Sequence, residues 1–278
     1  MNLYITGTLF KNGSVIFTDF GMVKQDAPLP LDSQQEKMLA DGDYVHLSLF
    51  PLGGKWWRDP QKYPSLWNIS PGSEPHPHWY QKKTHNRIFR KEACRWWKEH
   101  VYFHREIYTL ANGTYFLKNC HVKETIRDVC IFCEDTIIDR MKGTSTAEQV
   151  CGSSLIRKMY DFSQVKALHG FSAVQEMNQH AAIGSMSDFS LVERMRQNAK
   201  IECMLQDARV IQMADSSIVG IIRGKASVSY MSDDALVGQA ESGTQVGQID
   251  GHAKIGSVSR PENQNDFQNP DRFYQPFM

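Results

Sequence analysis

A nine-residue repeat runs from about Thr136 to Val258, and no insertion breaks its register. Each repeat starts with a small residue. A mostly β-branched residue follows two positions later, and a larger apolar residue, most often Met, comes three positions after that. Ser163, Val165 and Leu168 form one such set. A short fixed period of this kind is typical of solenoid proteins, in which each repeat stacks on its neighbours.

The period excludes a helix and favours strands. A helix turns by about 100° per residue, so positions nine residues apart would lie on opposite sides. In a strand, the small and the β-branched residue point to the same face, because side chains alternate. We therefore expect a parallel β-solenoid of about 18 residues per coil, built from two repeats, with about 27 residues per coil as the second choice.

The repeat also predicts which residues lie inside. Small residues allow two opposed walls to approach closely, and Met side chains fill irregular gaps between them. No proline occurs between Pro77 and Pro261, as expected where most backbone N–H groups pair with a neighbouring strand.

Composition divides the chain into three parts. All six tryptophans lie before residue 98, so residues 1–125 are expected to form a small α+β domain that caps the first coil. Residues 126–258 are expected to form the solenoid. Residues 259–278 are rich in Asn, Gln, Pro and aromatic residues, and are expected to be a C-terminal cap or tail.

Turn signals and hydrophobic patterns predict the elements of the first domain. The predicted elements are a hairpin of Leu3–Phe10 and Ser14–Phe20, a helix at Ser33–Ala40, a strand at Tyr44–Leu52, an irregular loop from Gly53 to His85, a helix from Arg87 to about His100, and a second hairpin of Tyr102–Leu110 and Thr114–Val122 around Asn112-Gly113.

The overall chemistry excludes some classes of protein. The formal net charge is zero, so no global field attracts the chain to nucleic acid or to membranes. The sequence has no apolar run near 18 residues and no signal peptide at its start. We therefore expect a cytoplasmic protein that does not contact membranes, with its six cysteines reduced.

A basic and aromatic cluster is the strongest candidate site. Interleaved cations and aromatic rings can bind single-stranded nucleic acid or nucleotides through phosphate contacts and stacking. The alternative is that the tryptophans form a core and the cations a solvated face. The cluster comprises Trp56, Trp57, Arg58, Trp79, Lys82, Lys83, His85, Arg87, Arg90, Lys91, Arg95 and Lys98.

Other chemistry has weaker support. His76, His78 and His85, or His100 and His104, lack the spacing of a helical zinc site, and Cys130-x-x-Cys133 has no second Cys pair. The repeats lack the glycine triplets of calcium-binding nonapeptide rolls and the regular outer Thr row of ice-binding surfaces. We expect no metal, no cofactor and no catalytic residues.

The small-x-Val-x-x-apolar repeat resembles the nonapeptide β-solenoid tails of bacteriophage and gut-bacterial proteins. The resemblance covers about 125 residues and does not extend to the N-terminal domain. It implies an accessory protein of a phage or mobile element, of the sort that sometimes blocks a host defence enzyme.

Three functions remain open. The first is a non-enzymatic binding protein that engages a host protein or nucleoprotein complex, with nucleic acid contacted through the basic cluster. The second is an enzyme acting on nucleotides or nucleic acid, with its site at His76, His78 and His85. The third is a self-assembling solenoid that forms homo-oligomers through an outward apolar strip. That strip comprises Leu155, Leu191, Ile211, Ile218, Ile221 and Leu236.

Overall fold

The computed structural model describes residues 4–20, 23–24, 31–72 and 76–259. The chain divides into two compact units, Met1–Tyr102 and Phe103–Met278. No described helix is long and apolar enough to cross a membrane. The expected C-terminal cap or tail lies outside the described residues, apart from Ser259.

The first unit is a five-stranded antiparallel sheet with two α-helices. The strand order is β3-β2-β1-β4-β5. Two short 3₁₀ turns, Leu52–Gly54 and Pro64–Leu66, lie between β4 and β5. In chain order the elements are β1 Ile5–Phe10, β2 Val15–Phe20, β3 Val23–Lys24, α1 Ser33–Ala40, β4 Tyr44–Pro51, β5 Trp67–Pro71 and α2 Lys82–His100.

Most of the predicted elements of this unit are confirmed. β1 and β2 form the first hairpin, and α1 has the predicted bounds. The irregular loop is wrong in part, because Trp67–Pro71 is a strand that pairs with β4. α2 begins at Lys82 rather than Arg87. Residues 82–88 are nearly all polar, so the hydrophobic pattern could not reveal its first turns.

Aromatic side chains form the core of the first unit. Trp56 is fully buried, and its carbonyl oxygen accepts a hydrogen bond from Nε1 of Trp97 at 3.0 Å. Phe89 of α2 packs against β1 at Gly7, where a Cβ would lie 3.2 Å from the Phe89 ring. The buried face of α2 is therefore fixed against the sheet, and its other face is exposed.

The second unit is a parallel β-solenoid of about nine coils. Neighbouring coils are offset by 18 residues, so the two-repeat coil is confirmed and the 27-residue alternative is wrong. The strands are β6 Val101–Phe103, β7 Glu106–Lys118, β8 His121–Glu134, β9 Ile137–Met141, β10 Thr146–Cys151, β11 Leu155–Met159, β12 Gln164–Leu168, β13 Ala173–Met177, β14 Ala182–Met186, β15 Leu191–Met195, β16 Lys200–Met204, β17 Arg209–Met213, β18 Ile218–Ile222, β19 Ser227–Met231, β20 Leu236–Glu241, β21 Gln245–Ile249 and β22 Lys254–Ser259.

The second predicted hairpin is wrong. β7 and β8 run parallel, with Glu106 opposite His121 and Thr114 opposite Cys130. Asn112 and Gly113 both have positive φ, 48° and 124°, as a tight hairpin turn would require. The solenoid has two walls, each a stack of parallel strands. Asn112 and Gly113 bend β7 so that its first half lies in one wall and its second half in the other. Parallel pairing thus begins at Glu106, ahead of the boundary expected at residue 125.

The small, the β-branched and the larger apolar position of each repeat all line the interior. Val174 and Met177 are fully buried, and so are their equivalents in the preceding and following coils. The outward residues form two separate walls, because alternate strands pair with each other. Leu155, Leu191 and Ile211 lie on one wall, whereas Ile218, Ile221 and Leu236 lie on the other. The single apolar strip expected from the sequence is therefore wrong.

Each corner of a regular coil contains a residue in the left-handed region, such as Asp161, Gln179, Gln197 and Asp215. Each of these side chains accepts a hydrogen bond from a backbone N–H of the preceding coil, eighteen residues earlier in the chain. The backbone N–H of Gln179 donates to Oε1 of Gln197 at 2.6 Å, and that of Gln197 donates to Oδ2 of Asp215 at 2.9 Å. These bonds satisfy corner N–H groups that the strands leave unpaired.

Candidate functional site

The exposed face of α2 carries a row of cations. Lys83, Arg87, Lys91 and Arg95 follow one another at four-residue steps, and all four are exposed. Residues four apart lie on one side of a helix, separated by about 6 Å along its axis. We call these four residues, together with Lys82 in the first turn, the cationic face of α2.

Most of the cationic face has no acidic partner. Arg95 pairs with Glu92 at 2.5 Å. No acidic side chain among the described residues forms an ion pair with Lys82, Lys83, Arg87 or Lys91. Like charges four residues apart on a helix repel each other, so this row costs stability instead of providing it.

The start of α2 is also unfavourable for a helix. Lys82 and Lys83 lie in its first turn, which has no acidic residue and no side-chain cap. Cations there oppose the positive end of the helix dipole. By contrast, α1 has a complete capping box, in which Asp32 Oδ1 accepts from the Gln35 N–H at 2.8 Å. Local rules are most often broken where function requires it.

Aromatic rings lie beside this helix start. Trp79 and His85 are in edge-on contact at 5.2 Å between ring centroids, and Tyr80 stacks on His85 at 5.6 Å. Tyr80 Oη also donates to Asn86 at 2.7 Å, and burial raises the pKa of Tyr80. Sequence reasoning missed Tyr80, although its position two residues before a run of cations could have indicated it.

The structure separates the predicted cluster into two groups. Trp56 belongs to the core, and Trp57 contacts it edge-on at 5.9 Å. Arg90 donates to the carbonyl oxygen of Trp67 at 3.3 Å, and Arg58 lies over the ring of Tyr63. These four residues hold the unit together.

The other predicted residues surround the exposed side of α2. Lys98 donates to Gln61 near the end of the helix. The remaining members of this second group are Trp79, Lys82, Lys83, His85, Arg87, Lys91 and Arg95.

The cysteines are poor nucleophiles and show no disulfide among the described residues. Burial raises the pKa of Cys130 to about 12 and that of Cys151 to about 11. Cys133, fully buried, is raised further for the same reason. Thiols with such values stay protonated at neutral pH and react slowly. In the part of the chain that is described, no three His, Cys, Asp or Glu residues are placed to hold a metal ion.

A shallow concavity of about 430 Å³ lies at the first coils of the solenoid, lined by His104, Asp135 and His121 among others. Several charged side chains at and beside it form ion pairs with one another. Lys118 Nζ contacts Glu134 at 2.6 Å and Asp135 at 3.2 Å, and His121 Nε2 contacts Asp139 at 3.0 Å. This arrangement stabilises the first corner and offers less to a ligand than the cationic face of α2.

Comparison with family models, curated proteins and solved structures finds no match. The assignment of a function therefore rests on the geometry of the chain itself.

Proposed function

We propose that this chain is a non-enzymatic binding protein that holds nucleic acid, free or within a host nucleoprotein complex, on the cationic face of α2. The single observation that carries this proposal is the set of four exposed cations, Lys82, Lys83, Arg87 and Lys91, that have no acidic partner among the described residues. A polyanion would relieve their mutual repulsion and the conflict with the helix dipole.

The neighbouring rings favour nucleic acid over an acidic protein. Trp79 and Tyr80 are half-buried and lie three and two residues before Lys82, the first lysine of α2. Bases stack on such rings, while the phosphates follow a row of cations. The resemblance of the repeat to phage and gut-bacterial solenoid tails supports an accessory role in the cytoplasm of a bacterial host. In such a protein the solenoid would serve as a rigid scaffold.

The proposal predicts that neutralising the row abolishes binding. We expect a single-stranded oligonucleotide to bind the full chain with strong salt dependence, measured by fluorescence anisotropy. The triple variant Lys83→Gln, Arg87→Gln, Lys91→Gln should bind far more weakly. Its slope of log K against log salt should fall by about 2, since each lost phosphate contact accounts for roughly 0.7 on a single strand.

A charge-matched variant provides the control. Arg196→Gln, Arg209→Gln, Lys225→Gln removes three exposed solenoid cations and should leave the affinity nearly unchanged. If both variants weaken binding equally, the attraction is non-specific and the proposal fails. It also fails if oligonucleotides do not bind while an acidic protein partner from the host binds the same face.

A further inference from the structure

Among the described residues, the inward side chains of the last solenoid coil are more exposed than those of the coil before it. Val228 and Met231 of β19 are 1% and 0% exposed, whereas Ile249 of β21 is 40% exposed and Val258 of β22 is 71% exposed. These residues occupy the same inward positions of the repeat. The hydrophobic interior therefore opens at this end.

The backbone at this end is also available for pairing. β21 pairs with β19 and β22 pairs with β20, and no later coil follows them in the described part of the chain. Each strand therefore presents an outer edge with hydrogen-bonding groups. Any partner must supply two strand edges about 10 Å apart, with apolar residues between them.

We propose that a second copy of this chain covers the end, through a tail-to-tail contact in which β21 and β22 pair with the same strands of the other copy. A two-fold axis places equivalent edges opposite each other and makes the contact self-complementary. The second copy offers two edges at the correct spacing and the same open interior. This inference is independent of the proposed nucleic-acid binding.

Electrostatic repulsion between the two copies would oppose this contact only weakly. Exposed edges are normally protected by charged residues or proline. β21 has the sequence QVGQI and β22 has KIGSVS, so Lys254 is the one charged residue in either strand. No like charges are forced together when the strands meet antiparallel. Glycine at Gly247 and Gly256 keeps both outer surfaces flat.

Light scattering after size exclusion tests the contact with the full chain. We expect twice the mass of one chain at high concentration, falling towards the mass of one chain on dilution. The variant Ile249→Lys, Val258→Lys should have half the wild-type mass at the same concentrations. The matched variant Ile211→Lys, Ile218→Lys changes the two outer walls and should remain a dimer.

Hydrogen exchange of the wild-type chain avoids dependence on a variant that folds poorly. Amides of β21 and β22 should gain protection as concentration rises through the dimer range, and those of β15 should not change. The proposal is overturned if the full chain has the mass of one copy at every concentration. It is equally overturned if only the wall variant dissociates the dimer, or if a dimer forms only after residues 260–278 are deleted.

Discussion

Serine hydroxyls in the solenoid interior differ in their hydrogen bonding. Ser172 Oγ donates to the carbonyl oxygen of His169 at 2.8 Å, and Ser154 Oγ donates to that of Cys151 at 2.7 Å. Ser190 and Ser217 occupy equivalent positions, but their buried hydroxyls have no partner among the described residues. A buried hydroxyl without a hydrogen bond costs stability.

Ser217→Ala is therefore expected to raise the free energy of unfolding by about 1 kcal/mol. Alanine fits, because Ala199 and Ala235 occupy the same position in adjacent coils of that corner. The measurement is urea unfolding followed by circular dichroism. Ser172→Ala removes a made hydrogen bond and should lower the stability. Equal effects of the two substitutions would show that both hydroxyls are bonded in solution.

The sequence predicted the burial of these serines but could not separate the bonded from the unbonded ones. The repeat requires only a small residue at that position, and Ser and Ala satisfy it equally. Whether a hydroxyl finds an acceptor depends on its rotamer and on the corner carbonyls, which the period does not encode.

At the scale of elements, α2 combines a well-packed face with an unfavourable start. Phe89 and Trp97 are buried, while Gln81 at the N-cap makes no side-chain cap. The buried face holds the helix in place, so its first turn can carry Lys82 and Lys83 despite the dipole.

Gln81→Asp should separate stability from binding. An aspartate cap can accept a backbone N–H of the first turn, and we expect it to stabilise the first unit by about 1 kcal/mol. The same carboxylate would repel phosphate and weaken oligonucleotide binding. Thermal unfolding and anisotropy measure the two effects. Gln81→Ser, a neutral cap, should stabilise without the loss of affinity. If Gln81→Asp bound as tightly as the wild type, phosphate would not lie at this end of α2.

Two errors at this scale have a common physical cause. Asn112-Gly113 was predicted to close a hairpin, and its dihedral angles suit one, yet it forms a solenoid corner. Local sequence specifies the backbone bend, whereas the strand that pairs after the bend depends on the stacked coils. The early start of α2 also could not be predicted from the local hydrophobic pattern, because its first turns contain few apolar residues.

At the scale of the whole molecule, the sequence was most informative about the solenoid. The uninterrupted period predicted the inward rows, which follow from alternation along a strand, and favoured the two-repeat coil over the 27-residue alternative. The candidate surface was predicted only in outline. The sequence could not show that Trp56 and Arg90 serve the core while Lys83 and Arg87 remain outside, because that division depends on how α2 packs.

Removal of one whole coil should be tolerated. Deleting Ala182–Ala199 joins Ala181 to Lys200, keeps the 18-residue register and leaves each remaining strand on its original wall. We expect a cooperative β-type thermal transition, slightly less stable than that of the wild type. Deleting one residue more, through Lys200, removes Ile201 from the inward row and should be strongly destabilising. Similar melting of the two deletions would argue against a fixed register.

The alternation of walls also determines how any surface of the solenoid can be mapped. Arg157, Gln175 and Glu193 follow one another along one wall, although eighteen residues of chain separate each from the next. A short synthetic peptide contains pieces of both walls and a whole corner, and reproduces neither surface. Overlapping peptide arrays would therefore fail to find a contact site or an antibody epitope here. Substitutions made at eighteen-residue intervals in the folded chain would trace it.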